Sequence, residues 1–164
     1  MRLAFEASDK LKLTQFTDYG LRALMVLASG PYRSFNSKEI ADLLDISREH
    51  LIKVLQRLSQ GGYVHSQRGA SGGVRLQKQA NEIPLGNLVR WLEEGQGLVE
   101  CLRPDGGHCN LTPMCLLKPL LSDATEAFYA RLNQSTLADC LHPPLQHFVT
   151  RQAARPALMQ LKSN

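Results

Sequence analysis

The 164-residue sequence predicts a mainly α fold with a small β-hairpin: a winged helix-turn-helix followed by a cysteine-bearing loop and a long helix. Three observations predict it. Two apolar-striped segments meet at a tight turn, two strand-like runs then flank a glycine-rich loop, and a long apolar stripe follows three closely spaced cysteines. The expected regions are an N-terminal extension (1–12), the winged helix (13–80), a linker helix with the cysteine loop (81–111), a dimerisation helix region (112–141) and a tail (142–164).

The first predicted helix covers the segment LTQFTDYGLRALMVLAS, residues 13–29. Its apolar positions at helical spacing are Phe16, Tyr19, Ala23, Leu24 and Leu27. Thr14 is predicted to be the N-cap, because a threonine hydroxyl can accept a bond from an unpaired N–H of the first turn. Gly30 and Pro31 are expected to end the helix.

The segment SKEIADLLDISREHLIKVLQRLSQGGY, residues 37–63, predicts two helices joined by a tight turn. Its apolar positions are Ile40, Leu44, Ile46, Leu51 and Val54. Small Ala41 lies where the helices must cross closely, and the spacing is typical of a helix-turn-helix. Such a turn needs one residue with positive φ, which Asp45 tolerates better than most residues. Gly61 and Gly62 are expected to end the second helix.

Two strand-like runs, residues 63–66 and 74–76, flank the loop RGASGG and predict a hairpin wing. The helix at 47–59 is then expected to enter the major groove of double-stranded DNA, with Arg48 as the main base-reading residue. A narrow A·T-rich minor groove would suit Arg68 at the wing tip. The predicted DNA-binding set is Ser47, Arg48, His50, Lys53, Arg68, Arg75 and Lys78. From the residues alone, the alternative is a basic face that is only solvated.

The charge distribution agrees with a DNA-facing N-terminal half. Residues 1–81 hold twelve Lys or Arg against seven Asp or Glu, whereas residues 82–164 hold seven against eight. The first dozen residues lack the apolar core of a secretory signal, and the longest apolar run is far shorter than the roughly 20 residues of a membrane span. We expect a cytoplasmic protein without membrane contact, and no residue spacing indicates an enzyme.

The C-terminal half predicts two further helices. Asn81 and Pro84 open a helix over 84–93, in which Trp91 is expected to pack on the buried stripe. A longer helix is predicted to begin at Thr112, with a kink or restart near Lys118 because Pro119 cannot donate a backbone hydrogen bond. Its apolar stripe is typical of a homodimer interface. Residues 136–141 are expected to make one more turn, and residues 142–164 to be partly disordered.

Cys101, Cys109 and Cys115 fall in a Gly- and Pro-rich loop with the spacing C-x7-C-x5-C. In a reducing compartment, clustered thiols indicate metal binding rather than a disulfide. Three thiolates leave a tetrahedral site incomplete, so a metal here needs a fourth ligand. Zinc could recruit His108, although its adjacency to Cys109 would strain the site, and iron–sulfur fits the residues better. Cys140 stands apart and is predicted to be a small buried apolar residue.

Four blocks, LTQFTDYGLRAL, ISREHLIKVLQRLSQGGYV, RGASGGVRL and HCNLTPMCLLKPLL, resemble those of the IscR/NsrR family of winged-helix iron–sulfur regulators. The resemblance covers residues 11–141 and is strong toward the NsrR-type nitric-oxide-sensing repressors. It implies that the three cysteines bind one [2Fe–2S] or [4Fe–4S] cluster per subunit, completed by Asp18 of the partner subunit. IscR-type members use a histidine three positions after the last cysteine, where this chain has Lys118.

The resemblance also implies a mechanism. A homodimeric repressor binds an inverted-repeat, A·T-rich operator in its cluster-loaded form, and nitrosylation of the cluster by nitric oxide derepresses nitrosative-stress genes. The alternatives are a repressor that senses iron–sulfur status or redox through the same cysteines, and a zinc or thiol-switch repressor. Family members begin just before the L-T-x-F-T-D motif, so residues 1–10 are expected to be an extension, with Leu11 as a candidate start.

Overall fold

The computed structural model describes residues 12–67 and 72–160, so the predicted extension and the wing-tip residue Arg68 lie outside the described residues. The helices are α1 Gln15–Ser29, α2 Ser37–Leu44, α3 Arg48–Gln60, α4 Leu85–Leu92, α5 Leu117–Leu132 and α6 Pro143–Gln160. The strands are β1 Val64–Gln67 and β2 Gly73–Leu76, which form one antiparallel hairpin. The predicted fold class is confirmed. No helix within the described residues is both long and apolar enough to cross a membrane.

The central helix, α1, begins and ends where the sequence predicts. The Thr14 hydroxyl oxygen accepts a hydrogen bond from the backbone N–H of Thr17 at 3.2 Å, and Gly30 is the C-cap. Ala23 and Leu24 are completely buried, because α1 packs against α2, α3, α4, α6 and β2. The core of the winged helix is therefore built around this helix.

The turn between α2 and α3 confirms the helix-turn-helix. Asp45 has φ 52° and ψ 51°, the left-handed conformation that the sequence requires of one residue here. The chain then closes the turn with a hydrogen bond from Ile46 N to Ala41 O at 3.1 Å. The side of α3 that faces α1 is buried, including Leu51 and Val54, so its opposite side is free for solvent or a ligand.

A backbone bridge anchors the hairpin to the rest of the domain, together with strand side chains that pack in the core. Phe35 N donates to Val74 O at 2.9 Å, and Val74 N donates back to Phe35 O at 2.8 Å. Phe35 is itself completely buried. In the hairpin, Val64 pairs with Leu76 and Gln67 pairs with Gly73, so β1 lies one residue later than predicted. The bridge fixes the wing beside the helix-turn-helix.

The helices α4 and α5 approach so closely at Gly86 that no side chain would fit. A Cβ atom on Gly86 would lie 2.1 Å from the backbone oxygen of Tyr129. Beside it, Asn87 N donates to Asn133 Oδ1 at 2.8 Å, and Asn133 Nδ2 donates to Asn87 Oδ1 at 2.9 Å. The α4–α5 contact therefore rests on backbone proximity and a reciprocal amide pair.

A second α4–α5 contact lies one turn along α4. Arg90 donates from both terminal nitrogens to Glu126, each bond 2.6 Å long, and its guanidinium lies 4.3 Å from the centre of the Tyr129 ring. These hydrogen bonds hold the pKa of the Glu126 carboxyl below its ordinary value. The pair is exposed, so its main effect is to orient the two helices.

The predicted long helix is interrupted as Pro119 requires. A single 3-10 turn, Thr112–Met114, is followed by a restart at Leu117, so that Pro119 lies in the first turn of α5, where no N–H is needed. No residue of α5 is buried within one protomer. Leu117 and Leu120 are 58% and 65% exposed, an apolar surface that water disfavours.

The prediction of a partly disordered tail is wrong for residues 143–160, which form α6. Val149 is only 1% exposed, Leu145 packs on the core, and α6 contacts α1 and α2. These two residues are one turn apart, so the stripe is too short to register as helical periodicity. Pro143 at the helix start is compatible with the fixed φ of proline. The last four residues lie outside the described residues.

Gly86→Ala is expected to lower the free energy of unfolding by roughly 3 kcal/mol, at the upper end of overpacking costs, because the new methyl group meets backbone rather than a movable side chain. Urea unfolding followed by circular dichroism measures this. The matched control is Gly20→Ala, whose Cβ would meet side chains rather than backbone, Leu92 at 3.0 Å and Val54 at 3.8 Å. Equal unfolding midpoints for the two variants would contradict the close α4–α5 contact.

Candidate nucleic-acid interface and cysteine loop

The predicted recognition surface lies on the solvent side of α3. Arg48, His50 and Lys53 are exposed. Ser47 is the N-cap residue, and its side chain makes no capping hydrogen bond, which leaves its hydroxyl able to bond elsewhere. Arg48 Nε donates to the Ser37 hydroxyl at 3.3 Å, so this side chain is held across the start of α2. Cationic and hydroxyl donors on one exposed helix side can contact base edges and phosphates.

The two described residues that were predicted to bind DNA from the wing, Arg75 and Lys78, have different surroundings. Arg75 is exposed on β2, directly opposite His65 on β1. Lys78 instead folds over an aromatic ring, with Nζ 4.8 Å from the centre of Tyr63. Sequence reasoning missed His65, although strand alternation places it on the same side as Arg75 once the register is known.

The cysteine loop, residues 93–116, folds back on itself where Glu100 meets Gly107. A Cβ atom at Gly107, which has φ 59°, would lie 2.6 Å from the backbone oxygen of Glu100. Next to it, His108 N donates to Glu100 Oε1 at 3.0 Å. Cys101 directly follows Glu100, and Cys109 directly follows His108. The contact between Glu100 and His108 therefore places the two cysteines on neighbouring segments of chain.

The third cysteine joins the loop to α5. Thr112 N donates to Cys109 O at 3.1 Å, and Cys115 is the C-cap of the following 3-10 turn. The turn that contains Cys101 also contacts α5, which begins two residues after Cys115. The loop therefore carries all three cysteines between the end of α4 and the start of α5.

The chemistry of this donor set fits an iron–sulfur cluster. All three thiols are half-buried and outside any disulfide, and the irregular loop can adjust around a cofactor. In residues 12–67 and 72–160, however, no three His, Cys, Asp or Glu side chains converge closely enough to hold a metal ion. The described residues of one protomer thus carry three thiols that could bind a metal but do not form a complete metal site.

Asp18 lies in the first turn of α1, where its carboxylate forms a salt bridge of 2.8 Å with Arg22. Its side chain is 42% exposed, which is what a ligand offered to another subunit requires. Lys118 occupies the second position of α5. Cys140 lies apart in the 3-10 turn Leu137–Cys140 and is half-buried rather than buried as predicted. Burial, assisted by the neighbouring Asp139 carboxylate, raises the pKa of the Cys140 thiol.

Sequence reasoning missed the contacts that tie the start of the cysteine loop to the winged helix. Glu93 Oε1 accepts hydrogen bonds from both the backbone N–H and the hydroxyl of Thr14, each 2.8 Å long. Glu94 accepts from Arg57 of α3. These partners are 79 and 37 residues apart in sequence, and no local pattern signals such pairs.

A cleft of about 770 Å³ lies between α4, α5 and the cysteine loop. Aromatic rings line it, including Trp91, Phe128 and Tyr129, and Leu98 and Leu102 of the loop form part of its wall. Trp91 is half-buried, so the predicted packing of this residue on the α4 stripe holds only in part. The cysteine loop, α4 and α5 thus enclose one shared space.

Residues 13–143 match the protein family described as "Rrf2: Iron-dependent Transcriptional regulator". Among solved structures, the chain is similar to IscR of T. potens at 25% identity and a TM-score of 0.62, over 79% of this chain and 85% of that one. It is similar to an oxidized form of CymR from Staphylococcus aureus at 28% identity and a TM-score of 0.58, over 77% and 93%.

A third structure, a putative transcriptional regulator from Listeria innocua, is 27% identical with a TM-score of 0.63, over 81% of this chain and 88% of that one. Because the family match covers most of the sequence, the chain belongs to the Rrf2 family of DNA-binding transcriptional regulators.

Proposed function

We propose that this protein is an iron–sulfur-dependent transcriptional repressor that senses nitric oxide and acts as a homodimer on an inverted-repeat operator. The observation that carries the proposal is the position of three free, half-buried thiols in one loop directly beyond a winged helix. A bound cluster would supply iron that reacts with nitric oxide, a chemistry that no side chain offers. The family's description as iron-dependent regulators supports the same reading.

The chain's own residues supply the other functions. Cys101, Cys109 and Cys115 would hold the cluster, one per subunit. The fourth ligand in this proposal is Asp18 of the partner subunit, whose carboxylate is exposed on α1 of its own protomer. Lys118, which is cationic and cannot ligate iron in its charged form, stands where a histidine ligand would make the protein IscR-like.

The dimer is supported by the exposed apolar residues of α5 and of the segment before it. Leu111, Met114, Leu116, Leu117 and Leu120 are between 58% and 84% exposed. A second copy of the chain would remove this surface from water. Dimerisation would also set two α3 helices side by side, as an inverted-repeat operator with one recognition helix per half-site requires.

A second candidate is a repressor whose cysteines bind zinc or act as a thiol switch. Four free thiols favour it equally well on the structure alone, and a relative, CymR, has been crystallised in an oxidized form. The two candidates differ in cofactor content, so one measurement separates them. A regulator of iron–sulfur status remains a variant of the first candidate with a different signal.

Anaerobically purified protein is expected to be coloured, to contain iron and acid-labile sulfide, and to change its absorbance and electron paramagnetic resonance spectra on titration with nitric oxide. Cys101→Ser, Cys109→Ser and Cys115→Ser should each abolish the colour, because each removes one of three thiolate ligands. Cys140→Ser is the matched control and should keep it. Colourless wild-type protein with stoichiometric zinc would eliminate the cluster.

Asp18→Ala is expected to speed iron loss to a chelator by roughly tenfold or more, the order of effect seen when support for a metal ligand is removed. The visible absorbance of loaded protein gives the rate. Asp42→Ala is the control, because Asp42 also accepts a salt bridge from a residue four positions away on an exposed helix surface. Equal rates in both variants would assign the fourth ligand elsewhere.

Arg48→Ala is expected to weaken binding to a duplex selected by the wild-type protein by about 1–3 kcal/mol, the value of one good base contact. Fluorescence anisotropy of labelled DNA measures this, and binding to random duplex DNA should weaken much less. Arg151→Ala, an exposed cation on α6, controls for the loss of one positive charge. Unchanged selectivity in Arg48→Ala would remove this residue from the base-reading set.

A further inference from the structure

The side chain of Arg57 extends from α3, the proposed recognition helix, to the C-terminal end of α4. Its Nη2 donates to the backbone oxygen of Trp91 at 3.3 Å and to Glu94 Oε2 at 2.5 Å. Its guanidinium carbon lies 4.3 Å from the centre of the Trp91 ring. A cation on a recognition helix commonly contacts phosphate, but here its hydrogen bonds are directed at the linker helix and the first residues of the cysteine loop.

Trp91 is held tightly at the C-terminal end of α3. A Cβ atom on Gly61 would lie 2.6 Å from the indole ring, so only glycine admits the ring at this position. The Tyr63 ring packs on the other part of the indole, with centroids 5.1 Å apart and planes inclined by 48°. Movement of Trp91 would therefore displace the end of α3 or the start of the wing.

The adjacent residue fastens the same point to α1. Glu93 accepts two hydrogen bonds from Thr14, the N-cap of α1. Glu93 and Glu94 thus connect the beginning of the cysteine loop to α1 and to α3, and α3 carries the proposed base-reading residues. Cys101 lies seven residues beyond Glu94.

We propose that Arg57, Trp91 and Glu94 form a strut through which the conformation of the cysteine loop sets the position of the recognition helix within one protomer. Arg57 is a positioning residue in this arrangement. An exposed ion pair stabilises a fold only slightly, so its removal should change the coupling between the two sites far more than the stability of the protein. The inference rests on the proposed function, in which the state of the loop depends on a bound cluster.

The first test compares operator affinity with and without the cluster. Arg57→Lys keeps the positive charge but loses the planar hydrogen-bonding and stacking geometry, and Glu94→Gln removes the ionic partner. The ratio of affinities for a selected duplex, expected to be roughly 5- to 150-fold in the wild type, should fall toward one in both variants. The variant that combines Arg57→Lys with Glu94→Gln should lower the affinity ratio no further than either single variant, because each of the three variants removes the same strut.

Glu126→Gln is the matched control. Arg90 and Glu126 repeat the arrangement of Arg57 and Glu94, with a comparably exposed ion pair and a guanidinium 4.3 Å from an aromatic ring, but they join α4 to α5. This variant should keep the wild-type ratio. A wild-type ratio in Arg57→Lys and Glu94→Gln, at equal cluster content, would overturn the strut.

A second test needs no cofactor and separates the strut from the proposed function. In metal-free protein, binding of duplex DNA should slow amide hydrogen exchange at residues 94–102 in the wild type and in Glu126→Gln, because coupling between two sites is reciprocal. The slowing should be lost in Glu94→Gln. If the wild-type protein binds no iron but DNA still slows its exchange more than that of Glu94→Gln, the cluster proposal fails and the strut stands. If DNA slows exchange equally in Glu94→Gln and the wild type, the strut is refuted.

Discussion

The close approach of α4 and α5 at Gly86 is the constraint on which the C-terminal half of the protein depends. Only a hydrogen atom fits beneath the Tyr129 carbonyl, and the hydrogen bonds between Asn87 and Asn133 join the start of α4 to the end of α5 at the same place. The cysteine loop connects the far ends of this pair. The two ends of the loop are therefore attached to helices whose relative position is fixed by this contact.

The linker helix α4 also contacts the winged helix, on which the proposed DNA-binding surface lies. One side of α4 contacts α5, whereas its C-terminal end contacts α1 through Glu93 and α3 through Trp91. A helix of eight residues thus contacts both the winged helix and α5. The coupling proposed above would pass through these contacts.

The sequence was sufficient wherever local chemistry decides the outcome. The N-cap at Thr14, the left-handed turn at Asp45 and the restart forced by Pro119 each follow from the properties of one residue and its neighbours. The exposed side of α3 followed from helical periodicity. The helix α6 did not, because among its described side chains the two that pack on the core, Leu145 and Val149, make too short a stripe. The Arg57–Glu94 contact joins residues that no local rule relates.

The candidate metal site shows the same division. Residue type and spacing drew attention to the three cysteines, but binding of one cofactor by all three would depend on tertiary and quaternary structure, and the described residues of the protomer bring no three such ligands together. Cys115 is followed directly by Leu116 and Leu117, which are 84% and 58% exposed. A second copy packed on these leucines would also cover the end of the cysteine loop. Assembly of the dimer and exclusion of water from the thiolates would then be a single event, so a ligand from the partner subunit would reach the site only when the apolar surface is buried.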